Sequence, residues 1–215
     1  TPAPSLYFPG AALSSGETVS GYVVPALRAD ADGSICVRQL DHPGESSCER
    51  FANAQAYHDH NWGVWQGVSW EWGAARAGPY TFLYGQIRTP DSSGARQPLF
   101  VFVADSLGFL VMFRPKDVVY QDDRALRIGA DVIRTPSRAT LFDARGDATL
   151  RIAHEIDQAS AHDTRQRSAE RGDALAARQI ALPYFVQMKG TARLTGRVRG
   201  RAIDGVGAGF FETYR

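Results

Sequence analysis

The chain has 215 residues, a formal net charge of +1, and a composition 44% hydrophobic and 11% aromatic. That balance excludes disorder on composition and argues against a dedicated nucleic-acid binder, which carries a strongly basic domain. No run approaches the roughly 18 apolar residues of a membrane-spanning helix. No secretory leader pattern opens the sequence, and Thr1 in place of an initiator Met points to processing or trimming.

In chain order, residues 1–16, rich in Pro, Ala, Ser and Gly, read as an extended lead-in or linker, with a single β-domain expected over residues 17–215. Val19 to Leu27 reads as a first strand interrupted by Pro25. Asp32-Gly33 is a strong hairpin-turn signal, with Ser34 to Leu40 as the return strand. Residues 41–47 read as loop. Cys36 and Cys48 leave two readings open: a disulfide clasping a hairpin in an oxidising compartment, or two reduced thiols in the cytosol. Cytoplasmic residence is slightly favoured, and export follows if the disulfide forms. Neither cysteine stands in a Cys-x-x-Cys, which argues against redox catalysis and a zinc ribbon.

Arg50 to Trp62 ends in the heptad Tyr57-His58-Asp59-His60-Asn61-Trp62-Gly63, and Trp65, Trp70 and Trp72 follow closely. Tyr80 to Arg88 is aromatic and β-branched, and a turn is expected over residues 90–94. Leu99 to Ala104 and Phe109 to Phe113 flank Asp105-Ser106-Leu107-Gly108, a hairpin. Arg124 to Arg134 and Arg138 to Asp143 read as strands, then residues 143–147 turn. Thr149 to Ile156 alternates, with Leu150, Ile152, His154 and Ile156 on one face. Residues 158–173 are charged and weakly patterned, which reads as an exposed loop with at most one helical turn. Ala177 to Met188 and Gly190 to Ile203 read as a pair of strands around Lys189-Gly190. Asp204-Gly205 is the last turn before Val206 to Tyr214. Turn signals at this spacing imply an all-β fold: an antiparallel barrel or sandwich of about ten to twelve short strands.

The heptad concentrates ionisable and aromatic side chains. On a strand Tyr57, Asp59 and Asn61 point one way, and His58, His60 and Trp62 the other. If one of these faces looks into a closed sheet, a proton donor or acceptor stands in an apolar container. His58-x-His60 also has the spacing of two imidazole metal ligands, with Glu71 or His154 as a third. Nothing else supplies an obvious ligand set, so no metal is expected. No Gly-x-Ser-x-Gly elbow and no Gly-rich phosphate loop is present.

Through Tyr57–Gly63 the sequence resembles the carotenoid 1,2-hydratase family (hydroxyneurosporene synthases, CrtC/AttH-like proteins). Gly33 to Val37, the Trp-x-Trp of Trp70 to Trp72 and the ending Gly209-Phe210-Phe211-Glu212 also match. The resemblance implies a lipocalin-like architecture, usually of two related β-domains, holding a long apolar substrate without a cofactor. Family members hydrate isolated double bonds of acyclic carotenoids. Relatives are implicated in hydrating prenylated phenolics, cyclising terpenoids or steering pericyclic closures of polyketides. The heptad lies in the second half of complete members, so this chain is expected to match that half. The hydratases carry a Tyr-x-Asp on the strand after the tryptophans, with the Asp a suspected proton donor. Here the counterpart is Tyr84-Gly85-Gln86, and glutamine cannot protonate an alkene.

The expected chemistry is hydration or cyclisation of an isoprenoid or polyene by acid/base residues in a dry pocket. Asp59 is the acid candidate, with His58 or His60 tuning it or activating water. Trp62, Trp70 and Trp72 would form a wall, since aromatic faces attract a passing cation by roughly 0.5–2 kcal/mol each. Tyr57, Tyr84, Gln86 and Glu71 complete the substrate-binding set, with Glu71 and Glu212 as reserve carboxylates. Each has a structural counter-reading. Asp59 could simply accept backbone hydrogen bonds, His58 and His60 could bond to carbonyls, and the indoles could be ordinary core. His154 reads as a satisfied core histidine, and Arg193, Arg197, Arg199 and Arg201 as one solvated strand face. Two further functions stay open: a non-catalytic carrier of a hydrophobic ligand, and a cyclase that folds a polyene for [4+2] closure by shape alone. The expected partner is a hydrophobic small molecule, with no nucleic acid and no transmembrane segment; peripheral membrane contact stays open.

Overall fold

The computed structural model describes residues 2, 6–15, 18–38, 46–63, 68–88, 97–165 and 182–215. The fold is all-β and antiparallel, with 14 strands among the described residues. The contacts divide the chain into two compact units, Thr1–Val64 and Trp65–Arg215.

The first unit holds β1 (Phe8–Ser15), β2 (Thr18–Arg38) and β3 (Ser46–Trp62), hydrogen-bonded in that order. Part of the expected lead-in is therefore a paired strand. The hairpin expected at Asp32-Gly33 is not formed, because β2 runs straight through it for 21 residues. The β2–β3 register slips between Ala31 and Gly33, and Asp32 Oδ1 accepts the Asn53 backbone N–H at 2.7 Å. Asn53 has φ 52°, a left-handed conformation asparagine tolerates. The turn-forming side chain thus serves an irregularity between strands instead of a reversal. Cys36 and Cys48 face each other across β2 and β3 and form a disulfide.

The second unit holds β4 (Ser69–Ala77), β5 (Tyr80–Arg88), β6 (Phe100–Asp105), β7 (Gly108–Phe113), β8 (Val119–Gln121), β9 (Arg124–Ile128), β10 (Asp131–Thr135), β11 (Arg138–Arg145), β12 (Ala148–Asp163), β13 (Tyr184–Val198) and β14 (Arg201–Tyr214). Nine of these make one sheet in the order β7-β6-β5-β4-β14-β13-β12-β11-β8, and β9 and β10 form a separate hairpin. The sheet curls into a half-barrel. The Arg114 backbone N–H, just past β7 at one edge, donates to Asp143 Oδ2 on β11 near the other edge, at 2.6 Å.

Alternation fills the concave face. Leu150, Ile152, His154 and Ile156 of β12 are buried, as the sequence pattern predicts, beside Val186, Met188, Ala192 and Leu194 of β13. Phe82, Tyr84, Val101, Val103, Phe113 and Phe211 join the same core. Each large apolar side chain buried there contributes roughly 1.5–3 kcal/mol.

Three sequence expectations fail for local reasons. The loop expected over residues 158–173 starts later, because β12 continues to Asp163. Residues 164–165 are helical, and the rest of that stretch lies outside the described residues. A register shift between Ile156 and Gln158 changes the phase of the alternation, after which Ala159 and Ala161 pack against the core. Lys189-Gly190 and Asp204-Gly205 lie inside strands, and the reversal is at Arg199-Gly200, with φ 51° and 77°. Gly190 and Gly205 are needed for close approach: a Cβ would lie 2.0 Å from the Glu155 carbonyl oxygen and 2.0 Å from that of Ala77. The four arginines accordingly do not share one strand face. Arg193 and Arg197 are exposed on β13, Arg199 is in the turn, and Arg201 begins β14. Arg193 Nη2 pairs with Asp204 Oδ2 at 2.9 Å.

Candidate functional site

The heptad ends β3, which among the described residues is hydrogen-bonded to β2 alone, at an edge of the three-stranded sheet. The heptad is therefore part of the three-stranded sheet and not a strand of the nine-stranded one. Its faces divide as alternation requires. The Tyr57 hydroxyl donates to Asp59 Oδ2 at 3.2 Å, and Asn61 Nδ2 donates to Asp59 Oδ1 at 3.4 Å. On the opposite face the rings of His60 and Trp62 stack with centroids 5.8 Å apart. Tyr57 and Asp59 are half-buried, whereas His58, His60, Asn61 and Trp62 are exposed. Trp62 lies across the backbone of Gly21, its direct partner on β2, where a Cβ would stand 2.4 Å from the indole. In both side-chain contacts Asp59 acts as acceptor.

The remaining candidates stand on the second unit, divided between the two faces of its sheet. Cross-strand pairing sets Glu71 against Gln86 and Gly73 against Tyr84, which places Glu71, Tyr84 and Gln86 on the concave side with Phe82 and Phe211. Trp70 and Trp72 alternate to the other side, with Glu212. There the Trp70 indole N–H donates to Glu212 Oε2 at 2.9 Å, and Trp70 packs edge-on against Tyr214 with centroids 5.0 Å apart. Trp72 is buried against Phe100, over Gly85. The expected wall of Trp70 and Trp72 thus belongs to the opposite face from Tyr84 and Glu71. Trp65 lies outside the described residues.

Glu71 is 4% exposed and fully engaged. Oε1 accepts from Arg88 Nη2 at 2.8 Å and from the Thr213 hydroxyl at 2.9 Å, and Oε2 accepts from the Tyr120 hydroxyl. Arg215 extends the cluster, its guanidinium 4.5 Å above the Tyr120 ring and its Nη2 on Asp122 at 2.9 Å. A buried carboxylate that accepts from one charged and two neutral donors is held in place. Gln86 is committed too, donating to the Gln97 carbonyl at 2.8 Å.

Sequence reasoning names Glu71 but misses Tyr120, Thr213 and Arg88. Arg88 was within reach, because it is the diagonal cross-strand neighbour of Glu71 in a β4–β5 hairpin. Thr213, separated by 142 residues, leaves no such trace.

Tyr84 stands between this cluster and the apolar interior. Its hydroxyl is buried beside that of Tyr120. Burial first, then the charges of Glu71 and Glu212, push its phenol well above the usual range. Its ring lies 5.7 Å from His154 and 6.5 Å from Phe211. His154 is 1% exposed, with Phe211 3.9 Å and Phe82 5.9 Å away by ring centroid. Neither of its nitrogens has a partner, so His154 is core as expected but is not satisfied. Burial drives its pKa down to about 3, so the ring is neutral at physiological pH. A buried polar atom without a partner costs about 1–3 kcal/mol.

Among the described residues no three or more His, Cys, Asp or Glu side chains are grouped to hold a metal ion. No helix among the described residues is long and apolar enough to cross a membrane.

Neither a family model nor a curated protein matches the sequence. Solved structures do. CghA matches with a TM-score of 0.53 at 14% identity, over 99% of this chain and 62% of that one. CghA with Sch210972 matches with a TM-score of 0.55 at 15% identity, again over 99% and 62%. An AttH candidate from Nitrosomonas europaea matches at 17% identity with a TM-score of 0.45, over 96% of this chain and 55% of that one. The chain therefore spans about three fifths of the CghA structures, and the likeness shows a shared all-β fold.

Proposed function

We propose that this chain binds an apolar polyene or isoprenoid and promotes its cyclisation by shape and positioning, as a relative of the CrtC/AttH-like proteins. The fold shared with CghA supports a binding architecture, and the heptad supports the family. The observation that carries the mechanism is the state of the carboxylates. Glu71 is held by three donors, and both side-chain contacts to Asp59 are made as acceptor. Gln86 occupies the position where the resembled hydratases hold an acid. Alkene protonation needs a free acid, whereas folding a polyene into a reactive conformer lowers the barrier through proximity alone. The disulfide between Cys36 and Cys48 fits a protein that works in an oxidising compartment.

The test is turnover of linear polyenes bearing a diene and a separated alkene, followed by mass spectrometry and chromatography. Cyclisation conserves mass, hydration adds one water, and a carrier returns the polyene unchanged. Asp59→Asn is expected to retain at least about half the cyclisation rate, because its acceptor role survives in the amide oxygen. Loss of turnover in that variant, or a product heavier by one water, would return the mechanism to acid/base chemistry.

A further inference from the structure

The concave face of the nine-stranded sheet carries a polar feature that shape-driven closure of a hydrocarbon does not use. His154 is wholly buried with Nδ1 and Nε2 unpartnered, beside the Tyr84 ring. Polar atoms in a core are normally satisfied, so two unpartnered nitrogens on one ring call for an occupant. The strand neighbours cannot supply one. The residues directly paired with His154 are Ala139 on β11 and Ala192 on β13, whose side chains end at Cβ and offer neither a donor nor an acceptor. The rings packed on it, Phe82 and Phe211, are apolar.

We propose that His154, flanked by Tyr84, is a hydrogen-bonding subsite for a neutral oxygen function, a ketone or hydroxyl, carried by an otherwise apolar ligand. A neutral imidazole presents one N–H donor and one bare nitrogen acceptor, and a phenol can do either. Such a pair receives a carbonyl or alcohol oxygen. It gives no counter-charge to a carboxylate or phosphate, which would have to be desolvated unpaired. Phe82, Phe211, Leu141 and Ile152 of the same core cluster make its surroundings apolar, which suits the hydrocarbon part of such a ligand. The polar subsite would then fix the position of the chain along the sheet, which a purely apolar surface does poorly. The inference rests on the apolar-ligand reading above and adds the ligand's polar group to it.

The experiment compares calorimetric binding of geranylacetone, an isoprenoid ketone, and farnesene, an isoprenoid hydrocarbon of similar length. The wild-type chain is expected to bind the ketone about tenfold more tightly, the gain of one buried neutral hydrogen bond. His154→Leu should erase that preference while leaving farnesene affinity within about twofold, and Tyr84→Phe should reduce it. Equal affinity for both ligands in the wild type, or an undiminished ketone preference in His154→Leu, overturns the subsite and leaves the apolar-ligand reading standing. Failure of both ligands to bind overturns the two together. If His154→Leu does not fold, the imidazole 15N shifts of the wild type decide. A change on adding geranylacetone but not farnesene supports the subsite, and bound ketone without that change rejects it.

Discussion

The His154 imidazole rests on the Phe211 ring with centroids 3.9 Å apart, and no donor or acceptor reaches either nitrogen. A base held neutral this way makes stability depend on pH. Its ordinary pKa of 6.5 falls to about 3 through burial alone. Between those values the unfolded chain binds the proton and the folded chain does not, so stability rises with pH and is lost as pH falls from 6.5 towards 3. The loss is of order 2 kcal/mol at pH 5 and 4 kcal/mol at pH 3. Urea denaturation at a series of pH values should show this slope, and His154→Phe should flatten it between pH 4 and 6.5. Asp163, lowered by its bond from Arg165, contributes only below its ordinary 3.8 and does not confuse that window.

Glu71 unites four elements, through Arg88 on β5, Tyr120 on β8 and Thr213 on β14 as well as its own β4. Glu71→Leu strands three donors and is expected to cost about 2–4 kcal/mol, with Tyr120→Phe costing about 1–2. Gln86→Ala, which removes one exposed bond to a carbonyl, should stay within about 0.5 kcal/mol. Chemical denaturation of the three variants checks the order, and an Arg88→Met change made in the Glu71→Leu background should restore part of the loss.

Gly190→Ala should be severe. Its Cβ would meet the Glu155 carbonyl oxygen at 2.0 Å, a backbone atom that cannot swing aside, at the irregularity where β12 shifts register. A loss of about 3 kcal/mol or more is expected. Gly129→Ala is the control: a Cβ there meets nothing within 4 Å, and the cost is only that of a left-handed φ, about 1 kcal/mol. Thermal melts of both variants test the contrast.

Reduction of Cys36–Cys48 reopens a loop between residues 12 apart in sequence. The chain-entropy estimate for a loop of that size is about 3 kcal/mol. Hydrogen exchange should accelerate along β2 and β3 near the cysteines after reduction, while β12 and β13 keep their protection. Uniform acceleration across both units would reject this local role.

Strand identity was legible wherever alternation ran unbroken: Tyr80–Arg88 matches β5, and Leu150 to Ile156 marks the inward face of β12. Turn chemistry misled at Asp32-Gly33, Lys189-Gly190 and Asp204-Gly205. At Gly190 and Gly205 a glycine required by a neighbouring backbone looks, in sequence, the same as a glycine required by a reversal. The division of the heptad into two faces followed from strand period alone and is seen in the Tyr57–Asp59–Asn61 contacts. That Trp70 and Trp72 stand opposite Tyr84 was equally readable from parity across the β4–β5 pairing. The lack of partners at His154 was not, because it depends on the register that sets Ala139 and Ala192 opposite it, the second brought from β13 across a long connection.

The order of the nine-stranded sheet also governs how the unit is made. β4 and β14 are adjacent at its centre, and the bond from Trp70 to Glu212 spans 142 residues. During synthesis β4 can pair with β5 at once, yet its other edge stays open until β14 emerges. Such distant pairing makes folding slow, and the waiting edge is the place where a second nascent chain would dock by mistake.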